Sequence, residues 1–204
     1  MGIFGGTFDP FHNCHLTILE AFLEVTSFAK VHVIPAKIPA LRNSPESSAE
    51  DRLVMARLGT KGLSNVICDD REIQRPGTSY TIDTLRSLAI ENVHQPLILA
   101  LGRDAFDQIE SWADWEEIFQ LASLVVFNRP SSDYADSPRW LPACARIVNS
   151  FDQCSKAGQV LFLKNKPCYG SATKIRRLLK ENLSIHHLVP SGVHEYIKSR
   201  NLYV

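Results

Sequence analysis

No run of apolar residues in this 204-residue chain approaches the ~20 that a membrane span needs. Nor is there a surplus of either charge, since 22 basic residues meet 22 acidic ones. The first absence predicts a protein with no membrane partner. The second argues against a protein that holds nucleic acid by global charge, which leaves a basic excess. The start, Met1-Gly2-Ile3-Phe4, lacks the cationic region of a secretory signal. Five cysteines (Cys14, Cys68, Cys144, Cys154, Cys168) are odd in number and widely spaced, with no CxxC pair. That pattern predicts a reducing, cytoplasmic setting rather than a disulfide framework, with most cysteines acting as small buried hydrophobes. Neither G-x-G-x-x-G nor a Gly-Lys-Ser/Thr loop occurs, which excludes the dinucleotide fingerprint and the Walker A loop. Internal repeats and low-complexity linkers are also missing.

What is present is a chain 45% hydrophobic, of a length that fits one domain at ~150 residues per domain. Such a chain buries roughly 70% of its unfolded surface and needs no staples. Short apolar runs alternate with stretches of helical period. Strands are expected at Met1–Gly5, Val31–Ile34, Val66–Cys68, Pro96–Leu101, Leu124–Phe127 and Gln159–Leu163. Helices are expected at Leu16–Phe28, Glu50–Leu63, Tyr80–Glu91 (capped by Thr78 or Ser79), Trp115–Leu121, Ser171–Glu181 and Gly192–Ser199. The Pro/Ser-rich stretch Ser131–Pro142 reads as a mobile loop. This alternation predicts an α/β fold, a doubly wound Rossmann-like parallel sheet with helices on both faces. Residues 1–165 would form its core and residues 166–204 a small helical C-terminal part of the same single domain. Ligands of such sheets sit beyond the carboxyl ends of the strands, here Gly5–His15, Pro35–Arg42 and Gly102–Asp104.

Two segments carry chemistry. Gly5-Gly6-Thr7-Phe8-Asp9-Pro10-Phe11-His12-Asn13-Cys14-His15 leaves the first strand and enters the first helix. Its glycines allow close backbone approach, Thr7 offers a hydroxyl and an amide, and His12 and His15 stand at a helix start whose amides and dipole favour phosphate. No further ligands accompany the histidines at zinc-site spacing, so no protein-held metal is expected. The second segment, Ser171-Ala172-Thr173-Lys174-Ile175-Arg176-Arg177, is another capped helix start with a basic face. Alone it reads as an ordinary capped amphipathic helix; with the first it reads as the other half of an anion site.

Together these segments resemble the HxGH nucleotidyltransferases, through Gly-Gly-Thr-Phe-Asp-Pro-x-His-x-x-His and Ser171-x-Thr173-x-Ile175-Arg176. The resemblance covers nearly the whole chain and extends to the bacterial nicotinate-nucleotide adenylyltransferases. That narrower likeness rests on Val33-Ile34-Pro35, Pro39-Ala40-Leu41-Arg42, Asp51-Arg52 with Met55, Ser79 to Leu85, Gly102-Arg103-Asp104-Ala105-Phe106, Trp112, Asn128-Arg129-Pro130, and the tail from Val189-Pro190 to Leu202-Tyr203. It departs at Cys14, where the family has glycine, and at Arg42, where lysine is usual. A glycine needed for close approach or positive φ would make Cys14 cost affinity or about 1 kcal/mol of strain. A glycine that merely begins a helix would not, and the intact surroundings favour tolerance.

The resemblance implies attack by the phosphate of nicotinate mononucleotide on the α-phosphorus of ATP, giving deamido-NAD and pyrophosphate in NAD biosynthesis. The implied catalytic residues are His12, His15, Arg176 and Thr7. The implied ATP contacts add Gly5, Gly6, Phe8, Gly102, Asp104, Ser171, Thr173 and Ile175. The implied contacts to nicotinate mononucleotide are Lys37, Arg42, Tyr80, Thr81, Trp112 and Arg129. Mg²⁺ would arrive on the ATP phosphates, largely through waters. The partners are ATP and the mononucleotide, with no nucleic acid and no membrane; self-association is left open. Alternatives are adenylation of nicotinamide mononucleotide or phosphopantetheine, or a non-catalytic nucleotide-binding module should Cys14 abolish turnover.

Overall fold

The computed structural model describes every residue except 27–29, 42, 129–139, 165 and 169. Its strands are β1 (Gly2–Gly6), β2 (Val31–Pro35), β3 (Val66–Cys68), β4 (Leu97–Gly102), β5 (Ala122–Asn128), β6 (Arg146–Val148) and β7 (Gln159–Lys164). The helices between and after them are α1 (Asn13–Val25), α2 (Ala49–Gly59), α3 (Arg71–Gln74), α4 (Thr81–Glu91), α5 (Arg103–Phe106), α6 (Trp115–Leu121), α7 (Ala172–Lys180) and α8 (Ser191–Ser199). The strands form one sheet in the order β3-β2-β1-β4-β5-β7-β6, every pairing parallel. The expected doubly wound α/β sheet is therefore present. The order reverses between β1 and β4, so the crevice for a ligand opens at their carboxyl ends.

The strands are buried on both faces because consecutive side chains serve two cores. Phe4, Val33, Ala100, Val125, Phe127 and Leu161 point into one, closed by Leu19 and Phe22 of α1, Met55 of α2, Ile175 of α7 and Val193 and Ile197 of α8. Ile3, Ile34, Leu99, Leu101, Leu124, Val126 and Val160 point into the other, closed by Ile82, Leu85 and Leu88 of α4, Phe106 of α5 and Ile118 and Phe119 of α6. Every residue of β5 is buried.

Several expectations need correction. α1 begins at Asn13 rather than Leu16, because its polar first turn faces the crevice and carries no apolar signal. α2 stops at Gly59. α4 has Tyr80, not Thr78 or Ser79, at its cap position; the Ser79 hydroxyl instead accepts the Lys37 amide at 2.8 Å. The strand β6 and the short helices α3 and α5 had no expected counterpart. Residues 131–139 of the expected mobile loop lie outside the described residues.

The largest correction concerns cysteine. Cys14 and Cys168 are joined by a disulfide across 154 residues, with Cα atoms 5.4 Å apart, well within the range a bridge requires. Spacing arithmetic could not reveal it, since the partners meet only when the sheet is wound. Of the others, Cys154 is buried, Cys68 half-buried and Cys144 exposed. Among the described residues no helix is long and apolar enough to cross a membrane.

Candidate active site

The first motif forms the floor of the crevice. Gly6 is glycine for a steric reason: a Cβ there would lie 2.8 Å from the Phe8 ring. Phe8 itself has φ 54°, a left-handed conformation that costs a non-glycine residue roughly 1–2 kcal/mol. Its ring, 1% exposed, packs against Phe4, Phe11 and His15 at centroid distances of 5.6, 5.4 and 5.0 Å. Phe8 thus has only its backbone to offer a ligand. The same holds for Ile175, fully buried in the core. Thr7 and Gly6 are half-buried and Gly5 is exposed at the strand end.

His12 and His15 stack at the opening of α1, ring centroids 3.6 Å apart. The His12 backbone N–H donates to Nδ1 of His15 at 3.2 Å. With Nδ1 accepting, the proton of a neutral His15 sits on Nε2, making that nitrogen the donor. His12 is 6% exposed, and burial pushes its pKa down to about 4. It is therefore neutral at pH 7, and its buried Nδ1 has no hydrogen-bond partner among the described residues. An imidazole nitrogen buried without a partner is costly, and an anion brought to the crevice would relieve that cost.

Asp9 ties this floor to the second motif. Its carboxylate accepts the amides of Glu46 and Ser47 at 2.9 and 3.1 Å and the Ser47 hydroxyl at 2.6 Å. It also accepts the Tyr203 hydroxyl at 2.8 Å. Burial alone would raise its pKa, but these donors outweigh burial and hold it below the ordinary carboxylate value. The Asp9 carbonyl accepts Nη1 of Arg176 at 2.7 Å. Nε of Arg176 donates to Glu46 at 3.0 Å, and Lys180 meets the other Glu46 oxygen at 2.8 Å. Arg176 thus projects from α7 across the first motif, already engaged rather than standing on an open basic face. Ser171 caps α7 as expected, its hydroxyl accepting the Lys174 amide at 3.2 Å. Thr173 is exposed in the first turn of α7.

Arg52 is 1% exposed yet meets no carboxylate directly among the described residues. Its guanidinium donates to the carbonyls of Thr7 at 2.9 Å and Lys37 at 2.8 Å, and to those of Ala36 and Ser47. One planar cation thereby fixes two loops around the crevice. Desolvation by burial lowers its pKa. The loop after β2 also pairs with the approach to α4 through Pro39 and Ser79, and Lys37 Nζ donates to the Arg75 carbonyl at 3.2 Å. Lys37, Tyr80 and Thr81 accordingly stand in one neighbourhood at the opening of α4. Gly102 ends β4 and caps α5, with Asp104 exposed just beyond. Trp112 is half-buried against the second core. Arg42 and Arg129 lie outside the described residues.

The structure brings together Gly5–His15, Arg176, Ser171 and the β4 end, with Lys37, Tyr80 and Thr81 on the β2 side. Sequence reasoning assigned no site role to Arg52, Asp9, Ser47, Glu46, Tyr203 or Cys168. Asp9, Arg52 and Tyr203 were visible only as positions within motifs. Among the described residues no three His, Cys, Asp or Glu side chains stand where they could share a metal ion.

A family model described as cytidylyltransferase-like matches residues 3–178. A Pseudomonas entomophila protein named "Probable nicotinate-nucleotide adenylyltransferase" is 40% identical, the match covering 100% of this chain and 94% of that one. A Pseudomonas putida protein of the same name is 37% identical, with 100% and 90% covered. Among solved structures, the Plasmodium falciparum nicotinic acid mononucleotide adenylyltransferase complexed with NaAD superposes with a TM-score of 0.75 at 17% identity, covering 98% of this chain and 95% of that one. That likeness is one of fold.

Proposed function

This chain belongs to the cytidylyltransferase-like family and, within it, to the nicotinate-nucleotide adenylyltransferases, and from that premise we propose that it transfers the adenylyl group of ATP to nicotinate mononucleotide. A phosphate oxygen of the mononucleotide bonds to the α-phosphorus of ATP, the bond from that phosphorus to the bridging oxygen breaks, and pyrophosphate leaves. The attacking phosphate is already anionic near pH 7, so no general base is needed. The work is alignment of two polyanions and stabilisation of charge on the leaving group.

The observation that carries this reading is the Arg176–Asp9 contact, which joins two helix openings over one crevice. His15 would donate from Nε2 to the α-phosphate. His12, neutral and with a buried unpaired nitrogen, would serve the β and γ phosphates. Thr7, the amides at Gly5, Gly6 and Phe8, and the α7 opening at Ser171, Thr173 and Ile175 would line the phosphate path, with Arg176 on the pyrophosphate side. For that, Arg176 must exchange Glu46 for phosphate. Gly102 and Asp104 would hold the ribose of ATP. Tyr80, Thr81, Lys37 and Trp112, with Arg42 and Arg129, would receive the mononucleotide. Its carboxylate would meet the amides that open α4, favoured by the helix dipole. Mg²⁺ would neutralise charge on the ATP phosphates, and among the described residues no three His, Cys, Asp or Glu side chains stand ready to hold it. Residues 1–165 and 166–204 would act as one unit, in the cytoplasm.

The test is product identification. Incubation with ATP, Mg²⁺ and nicotinate mononucleotide should yield deamido-NAD by mass and one pyrophosphate per mononucleotide consumed. Binding of ATP with no pyrophosphate release would contradict the proposal and favour a non-catalytic nucleotide-binding module.

A further inference from the structure

The disulfide joins the two segments that the adenylyl-transfer reading requires to be held together. Cys14 is the second residue of α1, between His12 and His15. Cys168 lies three residues before Ser171, the cap of α7. The Gly170 amide donates to the Cys14 sulfur at 3.3 Å, so the bond also gathers the residue before the cap. The flanking structure is fixed independently of it. On the α1 side, the Asn13 backbone amide donates to the Leu188 carbonyl at 2.9 Å and its side chain to the His187 carbonyl at 3.0 Å. On the α7 side, Ile175 is locked in the core. The bond therefore ties the opening of α1 to Cys168, three residues before the α7 cap, and the Gly170 amide extends that tie to the residue next to the cap.

We propose that Cys14 and Cys168 form a thiol–disulfide modification site, reacting with small dithiols and disulfides, and that the bond holds the α7 opening in the geometry that receives the ATP phosphates. The choice of ATP as ligand rests on the function proposed above. The oxidised protein binds ATP more tightly than the reduced one. Reduction proceeds by attack of a dithiol thiolate on one sulfur, which gives a mixed disulfide and one protein thiolate. The second thiol of the reductant then displaces the other protein sulfur and leaves as a cyclic disulfide. Two electrons pass to the pair, and two protons end on Cys14 and Cys168. Oxidation by a small disulfide RSSR runs through the same mixed disulfide and releases two RSH. Both cysteines are half-buried, and Cys168 follows exposed Lys166 and Pro167. In a cytoplasm such a bond is reversible rather than permanent.

The experiment compares the full chain after dithiothreitol with the same chain after oxidised glutathione. Digestion under non-reducing conditions should give a linked peptide containing Cys14 and Cys168 only in the oxidised sample. Calorimetric titration with ATP should show Kd about three- to tenfold higher in the reduced form, as expected when a loop must be ordered on binding. KM for ATP should follow, while KM for the mononucleotide should move less than about twofold. The variant Cys168→Ser should show the reduced value under both treatments. Equal ATP affinity in the two forms, tighter binding by the reduced form, or no linked peptide after oxidation would overturn the proposal. Calorimetry reads ATP binding without turnover, so redox-dependent binding with no pyrophosphate release would count against the function and for this site.

Discussion

Individual residues around the crevice are held in states their side chains would not choose in water. His12 ordinarily titrates near 6.5, but burial depresses its pKa to about 4. Between those values the unfolded chain binds a proton that the folded chain refuses. Stability from this residue is therefore complete above pH 6.5 and is lost as pH falls towards 4, by up to about 3 kcal/mol. Thermal melts from pH 7 to pH 4 should show a steeper loss in the native protein than in His12→Asn. Identical slopes would mean that the imidazole is not buried neutral. Arg52 is the complementary case, a buried cation whose hydrogen bonds go to carbonyls of two loops, the one after β1 and the one between β2 and α2. In Arg52→Lys a compact ammonium cannot reproduce the planar fork, which leaves buried carbonyls unmet at ~1–3 kcal/mol. The expected outcome is a lower Tm with KM raised for both substrates, since Thr7 and Lys37 stand on the two sides of the crevice. A rise for one substrate alone would show that Arg52 does not couple the loops. Neither state is legible in a sequence: a histidine beside a glycine loop reads as a ligand, and an arginine in a helix reads as surface.

At the scale of the element, the informative feature is where helices begin. α4 and α7 begin within one residue of where capping signals and apolar period place them, whereas the first turn of α1, Asn13-Cys14-His15, is polar and lacks the apolar period that reveals a helix. For that reason Leu16 was the first residue of α1 with a helical signal, although the helix starts at Asn13. β6 escaped notice because it has three residues, the first an exposed arginine. By contrast β4 and β5, apolar and buried almost throughout, were plain from composition. The opening of α4 permits a clean test. Thr81 is its first helical residue and Tyr80 before it is extended, with φ −106° and ψ 132°, so proline fits at position 81. Thr81→Pro should leave the melting temperature nearly unchanged while deleting one amide N–H. If that amide receives the nicotinate carboxylate, the preference for acid over amide nucleotide should fall at least about fivefold, the worth of one such bond at ~1 kcal/mol. An unchanged preference would place the carboxylate elsewhere.

For the whole molecule, the fold was legible and its closure was not. Alternating strands and helices, with continuous apolar runs in the middle strands, specify a doubly wound parallel sheet, and the two motifs mark its ligand edge. Nothing in the spacing of residues says that Cys168 meets Cys14, or that the Tyr203 hydroxyl returns to Asp9 near the other terminus. Those contacts depend on tertiary winding, and both draw the C-terminal segment onto the first motif. The result is one crevice with one side built from both ends of the chain, proposed above for ATP, and the other built from the β2–α4 region, proposed above for the mononucleotide.

That division makes acceptor choice the most direct test. Pyrophosphate release should be measured at saturating ATP and Mg²⁺ with nicotinate and nicotinamide mononucleotides in parallel. Two amide N–H groups at a helix opening would both donate to a carboxylate, whereas a carboxamide would turn an NH₂ toward one of them. The lost bond, on the order of 1–3 kcal/mol, predicts kcat/KM about 5- to 200-fold higher for the acid. Equal use of both nucleotides would contradict the assignment of the α4 opening as the carboxylate site, and release with neither would contradict the adenylyl-transfer account itself.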